Sequence, residues 1–90
     1  MASEAGQAPA KPSPLTAVVE VVARALVDHP NEVKVRESTR RGMTIIELTT
    51  APGDMGKIIG RQGRTAAALR TLVAVTAERH GVRAQLDIRD

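Results

Sequence analysis

Ninety residues, 42% of them hydrophobic, can form one small domain, near the lower limit of what a single core holds together. Without cysteine there is neither a disulfide nor a thiolate metal site, which suits a reducing cytoplasm; without Phe, Tyr or Trp there is no aromatic platform for stacking bases, which excludes RRM sheets and OB folds. The net charge of +3 points to a polyanionic partner, mainly because the cations cluster around one loop.

Met1 to Ser13 is rich in Ala, Pro, Ser and Gly and offers too little apolar surface to offset ordering entropy, so residues 1–13 are expected to be a flexible tail. Nothing there reads as a signal peptide, and the longest hydrophobic stretch carries Glu20 and Arg24, so no membrane span is expected. Ser13-Pro14 marks a helix start, with Ser13 as N-cap and Pro14 in the first turn. Leu15, Val18, Val19, Val22 and Leu26 recur at helical spacing, and Asp28-His29-Pro30-Asn31 ends the helix.

Glu32 to Glu37 alternates as a half-buried strand, with Val33 and Val35 on its apolar side. Ser38 to Gly42 reads as a loop and Met43 to Thr50 as the second strand of an antiparallel hairpin. Ala51-Pro52-Gly53 breaks the sheet, and Asp54 is placed to cap a short helix over about Met55 to Ile59. A longer helix follows from Arg64 to His80 with Leu69, Leu72, Val73 and Thr76 as its stripe, small Ala66, Ala67 and Ala68 for close approach, and Gly81 as its stop. Ala84, Leu86 and Ile88 then alternate with Arg83, Gln85, Asp87 and Arg89 in a last strand.

Between the two later helices stands Gly56-Lys57-Ile58-Ile59-Gly60-Arg61-Gln62-Gly63-Arg64. Glycines at 60 and 63 let the chain bend tightly and let a sugar-phosphate strand lie on the backbone. Lys57, Arg61 and Arg64 add charge with no acid among them, and amides at the start of the next helix add a partial positive end, so an anion should dock here. A Walker loop is excluded because Gly53 and Gly56 are too close and Ile58 follows Lys57; the dinucleotide fingerprint fails on the spacing of Gly56, Gly60 and Gly63.

The run Ile58-Ile59-Gly60-Arg61-Gln62-Gly63-Arg64 resembles the signature of the KH domain, whose helix-Gly-x-x-Gly-helix clamp holds a short single strand of nucleic acid. The element order, α-β-β-α-α-β, resembles the type II form. This implies an α+β fold over residues 14–90, a three-stranded mixed sheet with the last strand parallel to the second and three helices on one face. In size the chain is similar to the small stand-alone KhpA-type KH proteins of bacteria. The resemblance implies an RNA-binding protein, a bacterial RNA chaperone or post-transcriptional regulator, that clamps about four nucleotides of single-stranded RNA in the cytoplasm. It also implies that Gly60, Arg61, Gln62 and Gly63 grip phosphates with Lys57 and Arg64 nearby, that Ile58 and Ile59 form one apolar wall, and that Arg83 and Gln85 read base edges from the opposite wall. The alternative it carries is a dimerisation module, pairing with itself or with a larger KhpB-type KH protein, with RNA contact secondary.

No enzyme is expected: His29 and His80 sit beside helix ends with no nucleophile placed to use them, and the glutamates are scattered among cations. No cofactor, metal or small-molecule substrate is expected, Asp54 reading as a cap and not a ligand. Met43 and Met55 read as packing residues. Arg40-Arg41 either extends a nucleic-acid surface or keeps a hairpin tip soluble, the second being favoured.

Overall fold

The computed structural model describes residues 13–89; of the tail expected over 1–13, residues 1–12 lie outside that range, as does Asp90. Three helices and three strands follow the expected order: α1 (Pro14–Leu26), β1 (Lys34–Arg40), β2 (Met43–Thr49), α2 (Met55–Ile59), α3 (Arg64–Arg79) and β3 (Arg83–Arg89). Ser13 caps α1 by accepting the Thr16 amide at 3.2 Å, and Pro14 opens its first turn. The carboxylate of Glu37 accepts the hydroxyls of Ser13 and Thr16, so the start of α1 is tied to β1.

β1 and β2 pair antiparallel from Lys34 opposite Thr49 to Arg40 opposite Met43, and β3 runs parallel to β2 from Met43 beside Arg83 to Thr49 beside Arg89. The sheet order is β1-β2-β3, the mixed sheet the KH resemblance implies. Two boundaries differ from expectation. Pro30–Glu32 forms a 3-10 turn, closed by the Glu32 amide on the His29 carbonyl, so β1 begins at Lys34 and not at Glu32. Ser38–Arg40, expected in a loop, extends β1, and the hairpin closes through Arg41 and Gly42 alone. Both turn residues have positive φ, 55° and 78°, the signature of a type I′ turn whose twist matches that of the strands.

Leu15, Val19 and Ala23 of α1, Ile46 and Leu48 of β2, Ile58 of α2, Leu69, Val73 and Ala77 of α3 and Leu86 of β3 form one core with Val33. The stripes are shifted from those expected. Leu26 and Leu72 lie at the surface, and Ala23, Ala66 and Ala77 take the buried positions, because small side chains let helices close on each other and on the sheet. Ala67 and Ala68 are exposed. Gly81, with φ of 70°, ends α3 as expected: the amides of Gly81 and Val82 reach back to the carbonyls of Glu78 and Ala77, a Schellman closure.

Candidate nucleic-acid interface

α2 is only five residues long and would not be stable alone; Ile58, fully buried, fixes it to the core. The chain leaves α2 through Gly60, whose φ of 77° and ψ of 171° fall in a region essentially reserved for glycine. Gln62 follows at φ 57° and ψ 25°, and Gly63, at φ 74° and ψ 13°, leads into α3. Three hydrogen bonds brace the bend, from the Gly60 amide to the Gly56 carbonyl at 2.9 Å, from the Gly63 amide to the Gly60 carbonyl at 3.1 Å and from the Arg64 amide to the Arg61 carbonyl. Among the described residues, the amides of Arg61 and Gln62 have no hydrogen-bond partner. No side chain caps α3 and no acid sits in its first turn, so its partial positive end is unopposed.

Most of the expected site residues come together here. Arg61, Gln62 and Arg64 are exposed around the bend, and Ile59, at 36% exposure, offers an apolar surface beside them. Ile58 was expected in the same wall but faces the core, since consecutive helical residues point about 100° apart and only one of the pair can line a surface. Lys57 is exposed but engaged: its Nζ lies 3.3 Å from Asp28 and 4.0 Å from Asp54. Arg83 and Gln85 do not join the group in the expected way. In β3 the inward residues are Ala84, Leu86 and Ile88, so Arg83 and Gln85 stand on the sheet face turned away from the helices, where Gln85 hydrogen-bonds Asp87.

Asp54 is the residue whose role the sequence misled on. It makes no cap; its carboxylate, 1% exposed, accepts the His29 backbone amide at 2.9 Å and lies 3.1 Å from His29 Nδ1. Burial opposes its ionisation, but the His29 ring, the His29 and Asp28 backbone and the ring's charge outweigh it and hold the carboxyl below its usual range. The segment between α1 and β1 is thereby fastened to the base of α2. A signal was available in the pairing of an acid just before the loop with a histidine after α1, but only the fold brings them together. Among the described residues no group of acids and histidines could hold a metal ion, and no helix is long and apolar enough to cross a membrane.

Comparison with known proteins agrees with this architecture. The profile of the family described as KhpA/KhpB, KH domain, matches residues 16–88. The RNA-binding protein KhpA of Halalkalibacterium halodurans is 51% identical over 73 residues, covering 81% of this chain and 96% of the relative. Proteins of the same name from Clostridium acetobutylicum and Treponema pallidum are each 45% identical, covering 79% and 81% of this chain and 95% and 91% of their own. With the type II topology, the glycine bend between α2 and α3 and these matches in agreement, the chain belongs to the KhpA/KhpB family of KH-domain proteins.

Proposed function

We propose that this chain binds single-stranded RNA, seating about four nucleotides on the bend between α2 and α3. The observation that carries the reading is the bend at Gly60 to Gly63, which leaves Arg61, Gln62 and Arg64 exposed together beside amides that, among the described residues, have no hydrogen-bond partner. Phosphates settle on the amides of the bend and the start of α3, the arginines neutralise them, and bases rest on Ile59. Lys57 adds charge, shared with its two carboxylates, while Arg83 and Gln85 touch RNA only where the strand passes round to their face. The name its relatives carry, RNA-binding protein, supports the same ligand. The chain acts as a binding module and not an enzyme, a cytoplasmic RNA chaperone or post-transcriptional regulator with weak sequence choice.

The test is the double substitution Arg61→Asp/Gln62→Asp. Both positions are exposed, so the variant keeps its amide NMR spectrum outside the bend while binding of a tetranucleotide is lost. A folded variant that binds as well as the parent removes the clamp from consideration.

A second reading, self-pairing or pairing with a larger KhpB-type protein, is favoured by one observation. Ala17, Val18, Val21 and Val22 line a shallow hollow on α1 made only of aliphatic carbon, and Val21 is 68% exposed. Sedimentation of the parent and of Val21→Glu separates this reading from the first: dimers lost with Val21→Glu but kept with the bend variant place the contact on α1.

A further inference from the structure

The cation excess is not confined to the bend. Residues 13–89 hold twelve Lys and Arg against eight Asp and Glu. The strand registers put Arg40 and Arg83 on either side of Met43, Lys34 and Arg89 on either side of Thr49, and Arg36 between, all on the sheet face opposite the helices. Only Glu47 and Asp87 oppose these five on that face, leaving seven cations against six acids over the rest of the described residues. All five cations are exposed, and among the described residues Arg89 alone has an acidic partner, Glu47 at 3.4 Å.

We propose that this open sheet face is a second, sequence-independent surface for the phosphate backbone of single-stranded RNA, so that one chain meets RNA on two sides. The choice of RNA as ligand rests on the reading above; the surface itself uses none of the bend. Alternate residues on one face of a strand stand about 6.7 Å apart, a pitch suited to successive phosphates of an extended strand. Half-buried Met43 and Ile45 give an apolar floor between the cations, and guanidinium planes can stack on bases where the chain has no aromatic ring. A flexible polyanion suits this face better than a membrane, since Met43 and Ile45, both half-buried, offer little apolar surface among the cations.

The experiment uses the full chain with oligouridylates of four and twelve nucleotides, and the variant Lys34→Gln/Arg36→Gln/Arg40→Gln, whose changes are confined to exposed positions of β1. The expected result is that the variant binds the tetramer unchanged but loses about 2 from the log-log salt slope of the dodecamer, three charges at roughly 0.7 each. In the Arg61→Asp/Gln62→Asp variant, the dodecamer still shifts amide signals of β1 and β3. The proposal is overturned if the β1 variant leaves the dodecamer slope unchanged, if tetramer and dodecamer weaken equally, or if polyglutamate competes for the face as well as RNA does. Failure of the bend reading is separate: it appears as tetramer binding that survives Arg61→Asp/Gln62→Asp.

Discussion

Gly60 and Thr65 share a space that admits only one side chain: a Cβ on Gly60 would fall on the Thr65 side chain and 2.9 Å from its backbone nitrogen. The bend is closed against the first turn of α3 at this contact. Gly63 has no such neighbour and is constrained by φ alone.

The two glycines therefore differ in what they tolerate. Gly60→Ala combines a glycine-only conformation with a clash against backbone, and costs about 1–3 kcal/mol from strain before any displacement of α3. Gly63→Ala costs about 1 kcal/mol, and Gly63→Asn less, because asparagine accepts the left-handed region. Urea denaturation of the three variants checks the order; equal losses for Gly60→Ala and Gly63→Asn would contradict it.

Salt dependence gives an independent measure of the proposed clamp. Neutralising two to four phosphates of a tetranucleotide predicts a log-log slope of about −1.5 to −3. Fluorescence anisotropy between low and moderate salt reads it directly, and a slope near zero would mean that phosphates are not the main contact.

Asp54 makes stability depend on pH in a defined direction. Its folded carboxyl is held below the ordinary value of 3.8, so the stabilisation is present above that value and is lost as pH falls through the lower folded value. Asp54→Asn flattens this acid limb, retaining an acceptor for the His29 amide. Asp54→Ala melts at a clearly lower temperature than Asp54→Asn, since the part-buried His29 amide then loses its acceptor. Thermal melts from pH 2 to 6 decide the matter, and identical acid limbs for parent and Asp54→Asn would exclude it.

The corrected stripe of α3 predicts unequal costs for two leucines three residues apart. Leu69→Ala removes a side chain from the core and costs about 2–5 kcal/mol. Leu72, 43% exposed, costs less than about 1 kcal/mol on the same change. Chemical denaturation of both variants tests which of them faces the sheet.

What could be read from the chain was whatever is written locally. The Ser13 cap, the Gly81 stop, the alternation in β3 and the glycine bend each depend on a few adjacent residues. Misplacements arose where a partner far along the chain decides. Ser38 to Arg40 looked polar enough for a loop, but as an edge strand they need only one neighbour, β2, and arginine at position 41 gives no ordinary sign of a left-handed turn. Leu72 outranked Ala77 by hydrophobicity, yet close contact favoured the alanine. Asp54 met its real partner across 25 residues. The bend's composition was legible, but the face on which Arg83 and Gln85 stand required the register of β3.

The parallel pairing of β2 with β3 also has a kinetic meaning. These strands cannot associate until the whole crossover from Thr50 to Val82 has folded back, and the glycine bend lies inside it. The residues proposed to receive RNA thus lie inside the segment that must fold before the sheet is complete. A bend stiffened or loosened for the sake of affinity would register in the refolding rate as well.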